Sequence, residues 1–154
     1  MLEPTERDLV RFWSKVNKTD TCWLWTAALT SQGYGHFTQR SKYVAAHRFS
    51  YTLEHGPIAQ GVEIDHKCHV KNCVRPEHLR EATRKQNREN LSAAYKNSQS
   101  GVRGVSWHKA NGKWATHVKH NGKSHYAGCY DRIEDAEAAV IAKRQELFTH
   151  NQEA

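Results

Sequence analysis

A chain of 154 residues has room for one medium domain or two small ones. Only 38% of it is hydrophobic, so each core must be small, and small cores commonly need a disulfide or metal staple. The net charge of +7, from 23 Lys+Arg against 16 Asp+Glu, suits a polyanion such as nucleic acid, and the lack of a long apolar run argues against a membrane partner. The polar start MLEPTERDLVRFW does not read as a secretory signal. The expectation is a cytoplasmic protein whose thiols stay reduced, where clustered Cys and His favour metal over disulfide.

Residues 1–20 read as a short helix, with Thr5 or Asp8 as cap and Leu9, Phe12, Trp13 and Val16 at helical spacing. Residues 21–55 read as two or three short strands followed by a helix. Cys22-Trp23-Leu24-Trp25 is apolar, Gly33 and Gly35 flank Tyr34 in a turn-rich passage, and AAHRFSYTLEHG carries Phe49 and Leu53 on one helical face. Gly56-Pro57 closes that helix. Residues 62–66 alternate as a strand, a Cys-bounded loop follows, and Pro76 precedes an extended piece around His78-Leu79. Thr83 is a good N-cap for a helix over 84–91. The small polar residues of 91–100 read as a linker. Beyond it, Asn111-Gly112 and Asn121-Gly122 mark hairpins between strands over 102–109, 113–120 and 123–130, and an Ala-rich helix over 133–148 follows with Asp131 as cap. The fold class is α+β, with domains at 1–92 and 101–150 joined by a linker at 93–100.

Chemistry-bearing residues crowd between Asp65 and Asn90. Cys68, Cys73 and His78 supply three candidate zinc ligands within eleven residues. Cys22, a buried thiol or the missing fourth ligand, is the other cysteine of the same unit, while Cys129 reads as a core thiol beyond the linker. His66 ends a strand beside the metal loop, and a neutral imidazole there suits general-base work. Asn87 on the next helix can offer an amide oxygen to Mg²⁺. Arg48 is either a surface arginine or a phosphate clamp.

The run His66-x-Cys68-x4-Cys73-x2-Pro76-x-His78-Leu79, then Asn87, resembles the His–Cys box of the HNH, or ββα-metal, homing endonucleases. CWLW at 22–25, GYG at 33–35 and AHR at 46–48 look like the phage-type branch, so the resemblance covers roughly 10–92. It implies a zinc-stapled ββα-metal unit with His66 as general base, Asn87 as Mg²⁺ ligand and Arg48 as a phosphate contact. It also implies structural Zn²⁺ on Cys22, Cys68, Cys73 and His78. In other HNH branches, residues placed like Asp65 and His78 help hold the catalytic metal. Asp65 is thus a weaker Mg²⁺ candidate, and His78 is assigned to zinc. Asn72 fits a turn better than the middle asparagine of the motif.

The stretch GVRGVSWHKANGKWATHV…YAGCYDRIEDAEAAVIA resembles the three-stranded DNA-binding domain of ethylene-response factors, the Apetala-two type. Its charge is divided. Arg103, Lys109, Lys113, Lys119 and Lys123 stand between Gly101 and Gly128 with no Asp or Glu, whereas acids crowd the helix that follows. The sheet is therefore expected to meet double-stranded DNA, through these five residues together with Ser106, His117, Ser124 and Tyr126. Thr116, Val118, Ala127 and Cys129 should pack on the helix, with Trp107 and Trp114 as core or rim aromatics. The expected activity is Mg²⁺-dependent, homing-type cleavage of phosphodiester bonds to 5′-phosphate and 3′-hydroxyl ends. A second copy of the chain would provide two active sites for a double-strand cut. The rival reading is a non-catalytic, zinc-containing DNA-binding regulator, which leaves His66 and Asn87 without a purpose.

Overall fold

The computed structural model describes residues 3–91, 94 and 97–149, so the expected linker at 93–100 falls in part outside the described residues. The chain divides into two compact units, Met1–Asn87 and Arg88–Ala154.

In the first unit, α1 spans Glu6–Trp13. The Asp8 N–H donates to Thr5 Oγ1 at 3.2 Å, and the Thr5 N–H donates to the Asp8 carboxylate at 3.2 Å, closing a capping box. The helix is shorter than the periodicity of 1–20 suggests. Val16 belongs instead to β1 (Val16–Lys18), which pairs antiparallel with β2 (Trp23–Trp25), Val16 opposite Trp25. Both placements let Val16 pack on the same core, and the helical spacing alone does not tell them apart.

Next come β3 (His36–Gln39) and β4 (Lys42–Ala45), joined through Arg40 and Ser41 at φ 46° and 64°. Then α2 (Ala46–His55) ends at Gly56, φ 85°. The core gathers Phe12, Trp25, Phe37, Ala46, Phe49 and Val74, with the Phe12 ring 5.1, 5.2 and 4.7 Å from those of Trp25, Phe37 and Phe49. β5 (Glu63–His66) pairs with β6 (Leu79–Ala82), Asp65 opposite Arg80 and His66 opposite Leu79. A single 3₁₀ turn, Pro76–His78, precedes β6, and α3 (Arg84–Glu89) follows it. Thr83 caps α3 as expected, trading hydrogen bonds with Gln86 at 2.8 and 3.2 Å. The order β5, β6, α3 is a ββα unit, and the fold is mixed α and β with small sheets.

In the second unit, β7 (Val105–His108), β8 (Lys113–His120) and β9 (Lys123–Tyr130) form one antiparallel sheet in that order. Asn121 and Gly122 turn β8 into β9 with φ of 49° and 75°, as the Asn-Gly signal predicts. α4 (Ile133–Leu147) packs on the sheet through Ala136 and Val140 against Val105 and Val118, with Trp114 and Tyr130 at the margin. Two details differ from expectation. Arg132, not Asp131, is the N-cap of α4 and makes no side-chain cap bond, while the Asp131 carboxylate accepts from Lys113 Nζ at 3.1 Å. A bulge between Thr116 and His117 also shifts the β8–β9 register: Thr116 faces Gly128, yet His117 faces Tyr126. Ala127 is the extra residue, and Cys129 pairs with Ala115 instead of lying on the α4 side with Thr116 and Val118.

Gly35 marks the tightest approach in the first core. A Cβ there would lie 2.7 Å from the Ala46 Cβ and 2.9 Å from the Trp25 ring. Gly35→Ala should therefore cost about 1–3 kcal/mol of stability, read as a lowered Tm by calorimetry; an unchanged Tm would contradict the packing described.

Candidate active site and metal centre

Cys22, Cys68, Cys73 and His78 converge, with their ligand atoms all within 4.8 Å of one another. Main-chain pairing brings them there. The Trp25 N–H donates to the Asn72 carbonyl at 2.9 Å and the Val74 N–H to the Trp23 carbonyl at 2.7 Å, so Cys73 lies across from Leu24 and close to Cys22. Asn72 is used here as a turn residue, its Nδ2 donating to the Trp25 carbonyl at 3.3 Å. Arg75, which the sequence does not single out, ties down the segment before Cys22 by donating to the carbonyls of Asp20 and Thr21 at 2.8 and 2.7 Å. Across the loop, the Lys67 N–H donates to the His78 carbonyl at 2.8 Å, bringing His78 back beside Cys68.

The cluster's chemistry is that of a soft-metal site. His78 Nδ1 lies 3.5 Å from Cys22 Sγ and 3.7 Å from Cys73 Sγ. Those spacings are close to the edge of a tetrahedron built on zinc–ligand bonds of about 2.0–2.3 Å. The Cys68 thiol donating to Cys73 holds the latter's pKa down to about 4. The same bond, with burial, pushes Cys68 up, and burial pushes Cys22 up. The Arg75 N–H also donates to Cys73 Sγ, at 3.5 Å. The four residues fit a zinc ion.

His66 sits at the end of β5, 7% exposed. Its Nε2 is 3.0 Å from the Cys73 carbonyl, an acceptor that makes Nε2 the protonated nitrogen and leaves the lone pair on Nδ1. Burial holds its pKa below the usual imidazole value, so the ring is neutral near pH 7. Asn87 reaches back from α3 to β5, its Nδ2 donating to Glu63 Oε2 at 2.5 Å. That bond orients the amide and gives its oxygen a fixed direction. Asp65 is buried and paired with Arg80, Nη2 at 2.9 Å and Nε at 3.0 Å. Burial, with the charges of Asp65 and Glu63 adding to it, raises the Tyr34 hydroxyl above its ordinary range. The Asn87 amide oxygen and the Asp65 carboxylate are hard oxygen donors of the kind that Mg²⁺ takes. Arg48, on α2, donates from Nη1 to the Val62 carbonyl at 3.2 Å, just before β5.

Sequence reasoning missed Glu63, Arg80 and Tyr34. Alternation along 62–66 puts Glu63 on the same strand face as Asp65, which is the signal that could have found it.

In the second unit, register places His117 beside Tyr126 and Lys119 beside Ser124, all four exposed. The His117 and Tyr126 rings are 5.3 Å apart. Ser106, Lys109 and Lys123 are exposed as well, and Lys113 is paired with Asp131. Arg103 lies elsewhere. Its guanidinium donates to the carbonyls of Arg88, Glu89 and Leu91 and covers the Phe148 ring at 5.6 Å. It secures the start of this unit, where its positive charge alone suggested a place on the open sheet.

Comparison with known proteins agrees with the geometry of the first unit. Residues 44–89, from β4 to the end of α3, match the model of the HNH endonuclease family. The chain is also 33% identical over 72 residues to Protein 7.7 of Escherichia phage T7, across 47% of this chain and 55% of that protein. The chain thus spans about half the length of this curated relative. No solved structure matches. Among the described residues, no helix is long and apolar enough to cross a membrane.

Replacing one ligand should show what the cluster holds. Cys73→Ser is expected to lose bound zinc, measured by a colorimetric chelator, and to melt the first unit's near-UV circular dichroism. Retention of one zinc per chain would exclude this ligand set.

Proposed function

We propose that the protein is a Mg²⁺-dependent, homing-type DNA endonuclease with a structural Zn²⁺ on Cys22, Cys68, Cys73 and His78. The observation that carries the reading is His66: a neutral, buried imidazole at the end of β5, its Nε2–H engaged by the Cys73 carbonyl and its lone pair on Nδ1. Nδ1 takes a proton from the attacking water. The Arg48 guanidinium, anchored by one bond to the Val62 carbonyl, offers its remaining N–H groups to the phosphate as negative charge builds. Asn87 Oδ1 and Asp65 would hold the cation, whose charge stabilises the departing 3′ oxygen. Glu63 and Arg80 orient these two ligands. The products are 5′-phosphate and 3′-hydroxyl ends.

The second unit, which resembles an Apetala-two domain, presents double-stranded DNA with Ser106, Lys109, His117, Lys119, Lys123, Ser124 and Tyr126. Lys113 sits at the rim, and two copies of the chain serve a double-strand cut. A non-catalytic DNA-binding regulator would also use the cluster and the sheet, but it has no need of a neutral buried histidine and an oriented amide.

Supercoiled plasmid with Mg²⁺ separates the two readings. Wild-type protein should nick or linearise it, and His66→Ala and Asn87→Ala should each lose at least 100-fold in rate while binding DNA normally. Tight binding without cleavage by the wild type would select the regulator. For the sheet, Lys119→Ala with Lys123→Ala should weaken DNA binding and reduce the slope of log K against log salt by about 1–2. An unchanged slope in a fluorescence-anisotropy titration would remove these lysines from the interface.

A further inference from the structure

From Thr21 to Leu53 the sequence carries no Asp or Glu, yet it holds Arg40, Lys42 and Arg48. Arg48 reaches the segment before β5, whereas Arg40 and Lys42 stand on the β3–β4 hairpin, which the chemistry above does not use. Strand alternation divides this hairpin. Phe37 and Gln39 are buried, while His36 and Thr38 are exposed, with Tyr43 across from Thr38. Tyr43 is 55% exposed, and its ring stands edge to face with that of His36 at 4.7 Å.

Arg40 and Ser41 make the tip of the hairpin in left-handed backbone, which glycine or asparagine would adopt with less strain. The chain keeps a guanidinium there instead. Beside the outer face, Arg11 and Lys15 line a groove together with His36 and Thr38. Arg11 is paired with Asp8, but among the described residues Lys15, Arg40 and Lys42 have no carboxylate within ion-pair distance. An exposed face with cations, hydroxyls and no acid of its own suits a polyanion. Phosphate oxygens of a duplex accept from Arg, Lys, Thr and Tyr side chains alike.

The hairpin also starts in the right place. Tyr34, two residues before β3, lies 5.9 Å from the His66 ring. At about 3.3 Å per residue, Arg40 is within about 20 Å of Tyr34 along the strand, the axial length of about six base pairs. We propose that the outer face of the β3–β4 hairpin, with Thr38, Arg40, Lys42 and Tyr43, is a DNA-contact surface of the first unit's own, which grips the phosphate backbone beside the cut without reading its sequence. The inference rests on the reading of the His66 site as a nuclease centre.

The test uses zinc-loaded, full-length protein. Arg40→Asn with Lys42→Gln removes two charges and puts asparagine, which tolerates left-handed backbone, at the tip. Binding to two unrelated duplexes is followed by fluorescence anisotropy across a salt series without Mg²⁺, so that no strand is cut. The double variant should keep its Tm, bind both duplexes at least fivefold more weakly, and lower the slope of log K against log salt by about 2. Tyr43→Ala should weaken binding at least threefold with the slope unchanged, a result that loss of net charge would not produce. In plasmid cleavage the double variant should raise KM at least fivefold and leave kcat within twofold. Wild-type affinity and slope in the double variant overturn the proposal; if its oligomeric state by light scattering changes instead, the face belongs to a second copy of the chain. Should the double variant unfold, Tyr43→Ala decides alone, wild-type affinity counting against the surface. If the wild type cuts no DNA while both variants lose affinity as stated, the endonuclease reading fails and the contact surface stands.

Discussion

Three residues, Asn72, Cys73 and Val74, hold the first unit together because their polar groups and side chains reach β2, α2, the cluster and His66 at once. The carbonyl of Asn72 and the N–H of Val74 pair with β2. The thiol of Cys73 enters the metal cluster while its carbonyl takes the His66 Nε2–H. The carbonyl of Val74 accepts from Ser50 Oγ on α2 at 2.5 Å, and its side chain lies in the aromatic core. Core, metal centre and candidate base are thus joined through one short run of backbone. In a chain this polar, burial alone would hold such a loop weakly, and a metal ion on the four-ligand cluster would supply the cross-link that apolar area does not.

The second unit answers a different requirement. Its sheet has one face covered by α4 and one left open, and side-chain alternation sorts the small apolar residues from the lysines, histidines and hydroxyls. The bulge at Thr116 and His117 resets that sorting halfway along β9. Ser124, Tyr126 and Cys129 come to one side, where strict alternation would have grouped Tyr126 with Gly128 and Tyr130. Arg103 holds the backbone at 88–91 and so cannot be counted among the cations offered to a partner.

What could be read from the sequence follows from how local each signal is. The cluster was legible because three of its ligands lie within eleven residues, and the Thr83 cap and the Asn-Gly turn at 121–122 because each depends on a few neighbouring residues. The β3–β4 turn was not, since Arg40 and Ser41 adopt left-handed backbone without the glycine or asparagine that usually announces it. Val16 satisfied a helical period and a strand equally, and tertiary pairing with Trp25 decided. The bulge has no compositional mark. Glu63 and Arg80 are ordinary residues until the fold sets each beside Asn87 or Asp65, and long-range contacts of that kind leave no local trace.

The spacing of the cluster's ligands also sets an order of events as the chain folds. Cys68, Cys73 and His78 can meet within a loop of about ten residues, whereas Cys22 must close one about five times longer, which costs roughly 1.4 kcal/mol more in loop entropy. A metal ion captured early would be held by the three local ligands, with a fourth position still open to water. Arrival of Cys22 with β2 then completes the shell in the same motion that aligns the Cys73 carbonyl for His66. On this ordering the candidate base would be locked only once the amino-terminal strands have docked, and a half-folded chain would hold metal without a fixed imidazole beside it.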